Sequence, residues 1–131
     1  MSRGLRNCNP GHLRRSKDRG KGLRLQQTDK DFFQFVDMPY GYRAMMITLR
    51  NYVRLHGCRT LEDIIRRYAP PTENDTTAYL THVCRAMNVP PTCDPDLEDR
   101  STLCALASAM SRMENGVDAV PEEVLSGWKL I

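Results

Sequence analysis

The stretch Tyr42-Arg-Ala-Met-Met-Ile-Thr-Leu-Arg-Asn-Tyr-Val-Arg-Leu-His-Gly57 decides the fold. Within it Met45, Met46, Leu49, Tyr52 and Val53 recur every three to four residues, the spacing that lines one face of an α-helix, and Gly57 supplies a left-handed stop. A methionine and aromatic stripe at this spacing is core material, so the segment predicts a buried central helix with no chemistry of its own.

Downstream the helical signals continue. Thr60-Leu-Glu-Asp63 has the pattern of a capping box, opening a short helix through Ile64 and Ile65 that must finish near Tyr68, because Pro70 and Pro71 disfavour helical backbone before them. Asp75 or Thr76 caps the next helix, whose apolar face is Tyr79, Leu80, Val83, Cys84 and Met87, and Asn88 ends it. Val89 to Asp99 carries three prolines among acidic residues and reads as an exposed connection. Ser101 is the expected cap of a further helix, with Leu103, Leu106, Ala107, Met110 and Met113 facing inward and Glu114-Asn115-Gly116 at its end. Pro121 with Glu122 and Glu123 opens a last short helix, packed down by Trp128.

Upstream the pattern is different. Residues 1 to 22 lack periodicity and read as loop, with a strong turn signal at Asn9-Pro10-Gly11. Leu23 to Thr28 and Phe32 to Val36 alternate apolar and polar residues around Asp29 and Lys30, which predicts a β-hairpin ended by Asp37 and Pro39. The expectation is an α+β, mainly α domain with a small hairpin near the N-terminus, occupying residues 1 to 131 as a single unit; this length supports a core without disulfides or metal.

Net charge is +3, but residues 1 to 30 carry nine Lys and Arg against two Asp, leaving the remainder acidic overall. A basic segment suits nucleic acid, an acidic protein surface or the polyanionic bacterial wall, and charge alone does not choose among them. No apolar run near the start has the length of a secretory signal or membrane span, so the expectation is cytoplasmic synthesis without membrane insertion. Five cysteines at irregular spacing suggest reduced thiols, and His82, Cys84 and Cys93 lack the spacing of a metal site; no metal and no cofactor are expected.

Glu114 is the residue that local physics explains least well. A carboxylate in the last turn of a helix faces the negative end of the helix dipole, a loss of about 0.3–1 kcal/mol. It is either a surface Glu or a general acid, since a helix C-terminus and partial burial both favour the protonated form that glycoside cleavage requires. No GxSxG, GxGxxG or GxxxxGK spacing offers competing chemistry.

Several separated motifs supply a resemblance. Arg3-Gly-Leu-Arg-Asn-Cys-Asn-Pro-Gly-His-Leu-Arg14 resembles the opening RGIRNNNPGNIR of a phage family known as virion structural protein five, and Phe33-Gln-Phe35, Gly41-Tyr-Arg-Ala44, Tyr68-Ala-Pro-Pro-Thr-Glu-Asn-Asp75, Tyr79 and Glu114-Asn-Gly116 follow in that family's order. More distantly, Asn9 to Arg14, Phe32 to Val36 and Tyr68-Ala69-Pro70 with Tyr79 are similar to the turn, hairpin and tyrosine elements of lysozyme-like glucosaminidases and lytic transglycosylases. Those enzymes carry their catalytic Glu on a helix before the turn, and no such helix precedes Asn9 here. The resemblance therefore implies a lysozyme-like fold in circularly permuted order, with Glu114 brought to the Asn9 turn as general acid.

On that resemblance Asn7, Asn9, Tyr68, Asn74 and Tyr79 are expected to bind substrate, the two tyrosines as a sugar-binding wall and the asparagines through N-acetyl groups. Their ordinary roles are core packing, turn formation and helix capping. Asp29, Asp31 and Asp37 are candidates for a second carboxylate. The implied function is a peptidoglycan-cleaving glycosidase acting on glycan strands, virion-associated or released to the periplasm during infection. The alternatives are a non-enzymatic virion or wall-binding protein with other virion proteins as partners, and a nucleic-acid-binding protein using the basic segment.

Overall fold

A computed structural model describes residues 1–131 and contains six helices: α1 (Arg3–Arg6), α2 (Met38–His56), α3 (Leu61–Tyr68), α4 (Thr76–Met87), α5 (Arg100–Asn115) and α6 (Pro121–Lys129). The central helix forms as its spacing demands, with Tyr42, Met45, Met46 and Leu49 almost wholly removed from water. It begins four residues earlier than the apolar pattern shows. Asp37 accepts a bond from the Tyr40 amide as N-cap and Pro39 occupies the first turn, so the residues read as ending a strand in fact open a helix.

Around α2 the remaining helices bury one continuous core. Leu61, Ile64 and Ile65 of α3, Leu80 and Val83 of α4, Leu103, Leu106 and Met110 of α5 and Val124 of α6 meet there, each worth about 1.5–3 kcal/mol when fully removed from water. Inside it the Tyr42 hydroxyl and Ser111 Oγ share a hydrogen bond of 2.9 Å, which satisfies both polar atoms. The caps follow the sequence closely. Thr60 and Asp63 form a reciprocal capping box, Asp75 rather than Thr76 caps α4, and Gly57, Asn88 and Gly116 end their helices in left-handed conformation. Asp99, not Ser101, caps α5, and Met113 is exposed on its outer side. The connection between α4 and α5 is less exposed than its composition suggests, because Leu97 plugs into the core.

The expected lysozyme-like α+β fold with a hairpin is not what forms. Beyond the helices, regular pairing is confined to two isolated antiparallel bridges, Arg14 with Phe32 and Leu23 with Phe35, and no sheet or hairpin is present. The mainly α part of the expectation holds. Phe32 to Val36 pairs its backbone with the segment 23–28 only around the Leu23–Phe35 bridge, where Arg24 N donates to Gln34 O; the rest divides between other partners, with Phe33 N donating to Leu13 O, Phe35 N to Asn7 O and Val36 N to Gly22 O. Side chains complete the set. Gln34 Oε1 accepts from the Thr28 and Asp29 amides, Gln27 Nε2 donates to the Arg24 and Gln34 carbonyls, and Gln27 Oε1 accepts from Gln34 N. Two glutamines thus take up backbone groups that a ladder would otherwise pair, and Leu25, one of the alternating apolar residues, stands fully in water.

No helix is long and apolar enough to cross a membrane.

Candidate functional site

The segment before α2 folds back so that its Asn9–His12 turn lies against the end of α5. Ser2 Oγ donates to Asn115 Oδ1 at 2.6 Å, and Asn115 Nδ2 donates to Pro10 O at 2.9 Å. Tyr68, at the end of α3, donates to Gly11 O at 2.6 Å. Gly11 is required there, because a Cβ would stand 2.2 Å from the Tyr68 hydroxyl oxygen. Gly4 is required for the same kind of reason: a Cβ on it would meet the His12 ring at 2.4 Å.

Between these elements lies an open groove of about 500 Å³, lined by Arg3, His12, Arg14, Phe32, Tyr52, Arg67, Tyr68, Glu73, Asn74 and Glu114 among others. Glu114 Oε1 sits 2.6 Å from His12 Nδ1, with 15% of the Glu114 side chain and 22% of the His12 side chain exposed. The carboxylate is thus mostly enclosed but still opens on the groove. His12 holds this position from left-handed backbone, at φ 50°, which disfavours a residue with a Cβ by roughly 1–2 kcal/mol. Such strain is tolerated where the surroundings over-determine it, and here Asn9 and Gly4 do so.

Of the residues expected to bind substrate, Glu114, Tyr68 and Asn74 line the groove together. Asn7, Asn9 and Tyr79 do not. Asn9 is completely buried; its Nδ2 donates to Leu13 O and Phe33 O, and its Oδ1 accepts from Leu13 N, so it pins the turn instead of facing a ligand. Asn7 donates to Asp29 Oδ2 and accepts from Gln34 Nε2. Tyr79 is buried behind Glu114, and its hydroxyl forms no hydrogen bond. Burial, reinforced by the negative charge of Glu114, holds the phenols of Tyr68 and Tyr79 above the usual tyrosine range, so both stay neutral.

The aspartates considered as a second carboxylate are also spoken for. Asp29 binds the Arg3 guanidinium with both oxygens, which together with Asn7 holds its carboxyl well below the usual range, Asp31 shares Arg3, and Asp37 caps α2. The carboxylate that does line the groove with Glu114 is Glu73. Sequence reasoning missed His12, Arg67 and Glu73. For His12 the sole signal was its place in the Asn-Pro-Gly-His turn; Arg67 and Glu73 look like ordinary surface residues until the chain folds. No group of three His, Cys, Asp or Glu side chains converges as a metal would need.

No protein-family model matches the chain. It is 37% identical over 132 residues to Protein P5 of Pseudoalteromonas phage PM2, an alignment spanning 98% of this chain and 81% of that protein. The chain belongs to the P5 family. The phage resemblance read from the ordered motifs is therefore a family relationship, and the alignment extends beyond those motifs along 98% of the chain. The likeness to lysozyme-like glucosaminidases has no such support. What this P5-family chain does have is the meeting that likeness required, Glu114 beside the Asn9–His12 turn, reached through an all-helical frame.

Proposed function

We propose that this P5-family chain is carried in the phage particle and engages the glycan strand of peptidoglycan in its groove, with Glu114 as proton donor. The observation that carries the reading is the convergence of Glu114, His12 and Tyr68 on one open groove from three distant parts of the chain. Asn74, Glu73 and Glu114 give that groove polar groups for sugar hydroxyls and N-acetyl groups, beside the rings of Phe32 and Tyr52.

In the proposed step Glu114 delivers a proton to the glycosidic oxygen as the bond from that oxygen to the anomeric carbon breaks, and the electron pair leaves with the oxygen. His12 orients the carboxyl group through the bond to Oε1. The positive charge left on the sugar is met either by Glu73 or by a nucleophile within the substrate itself.

A non-enzymatic role in the particle is favoured by the same His12 bond, because a carboxylate held by a histidine is also a satisfied structural pair. One experiment separates the two. Purified cell walls lose turbidity with the wild-type protein, and Glu114→Gln lowers the rate by about 100-fold or more. Equal clearing by both proteins removes Glu114 from the chemistry. Wall binding without clearing by either protein selects the non-enzymatic role. Detection of the chain in purified particles by mass spectrometry checks its location.

A further inference from the structure

Two arginines on the groove stand out by what their donors lack. Arg67 forms a cation–π contact over the ring of Tyr52, its guanidinium carbon 5.0 Å from the ring centre, and its side chain makes no hydrogen bond or ion pair. Arg14 stands over Phe32 at 5.2 Å, with a loose 3.7 Å approach to Glu73 and no side-chain hydrogen bond. Arg3, the third guanidinium on this surface, also stands over Phe32, at 4.6 Å, but commits its Nε and Nη2 to Asp29 and Asp31. Stacking on a ring restricts a guanidinium without using its N–H groups, so Arg14 and Arg67 are pre-positioned cations with free donors, in the same groove as Glu114.

Planar, forked donors of this kind match a carboxylate better than a hydroxyl or an acetamide. We infer that Arg14 and Arg67 select a carboxylate-bearing glycan over a neutral one, so that the groove distinguishes acid-substituted strands from an uncharged β-1,4-linked N-acetylglucosamine polymer. This rests on the glycan reading above and narrows it to a substrate class.

The test uses the full chain carrying Glu114→Gln, so that bound polymer is not consumed. Co-sedimentation is measured with peptidoglycan sacculi and with chitin, and soluble polyglutamate serves as a carboxylate probe without sugar. Sacculi are expected to bind at least about tenfold more tightly than chitin, the gain of one charge-assisted pair of about 1.4 kcal/mol. Arg14→Gln with Arg67→Gln abolishes that preference without moving the thermal midpoint. Neutralising Lys17, Arg19 and Lys21, three basic residues outside the groove, leaves the preference intact.

Equal binding to chitin overturns the inference, as does an unchanged preference in the double arginine variant or a preference lost with the three outer residues instead. Polyglutamate bound in an Arg14- and Arg67-dependent way, with neither glycan bound, keeps the carboxylate selection and removes the glycan reading. Binding to none of the three overturns the inference.

Discussion

The α2–α5 core and the segment from Ser2 to Val36 are held by different physics. The core is held by apolar side chains whose spacing makes their burial inevitable once a helix forms, and Met45, Leu49, Leu106 and Met110 could be exchanged for similar shapes at modest loss. The N-terminal segment has one four-residue helix and two isolated bridges, and it is fixed by directional bonds from Asn7, Asn9, Gln27, Asp29 and Gln34. Apolar packing tolerates approximation, whereas a hydrogen-bond network fails when one member is removed. The groove lies where the two regimes meet, with Glu114 supplied by the first and His12 by the second.

The contrast can be broken by paired substitutions. Leu49→Ala deletes a completely buried side chain from the central helix and is expected to lower the unfolding free energy by about 2–5 kcal/mol, with every helix melting in one transition by circular dichroism. Asn9→Leu leaves Leu13 N and Phe33 O without their partner, while Leu13 O keeps Phe33 N, a loss of about 1–3 kcal/mol for each buried group stranded. Its effect should be local. Amide exchange is expected to quicken through residues 5 to 36 while α2 and α5 keep their protection, and uniform loosening of all six helices would show that the segment is integral to the core.

Acid sharpens the same contrast. The Asp29 carboxyl titrates below its unfolded value because Arg3 holds its charged form, so its contribution is present above about pH 4 and is lost as pH falls from there toward its folded value. Below about pH 4 the amides of residues 28 to 34 should therefore exchange faster before the helices respond. Tyr79→Phe is the smallest change. Its hydroxyl is buried without a partner, so removal is expected to shift stability by less than about 0.5 kcal/mol or to raise it. A clear loss would reveal a bond to Glu114 that forms in solution.

Which parts were legible follows from the same division. Helix positions, the Thr60 capping box and the glycine stops depend on neighbours three or four residues away, and the pattern contains them. The reading of residues 23 to 36 as a hairpin failed because the two segments meet only at the Leu23–Phe35 bridge, and alternation does not show whether a pairing continues into a ladder. Gln27 and Gln34 replaced the ladder from within the loop. In the groove, Glu114 and Tyr68 were visible through odd helix placement and ordered motifs. Asn7 and Asn9 were placed in the right neighbourhood but in the wrong orientation, since a turn asparagine can point inward or outward without any change in sequence pattern.

The His12–Glu114 bond joins residues 102 positions apart, and the Ser2–Asn115 bond spans 113. During translation, the turn that carries His12 is therefore made early and waits without its counterpart until almost the whole of α5 has left the ribosome. Any product interrupted before that point lacks Glu114, so whatever this surface does with that carboxylate is withheld from it.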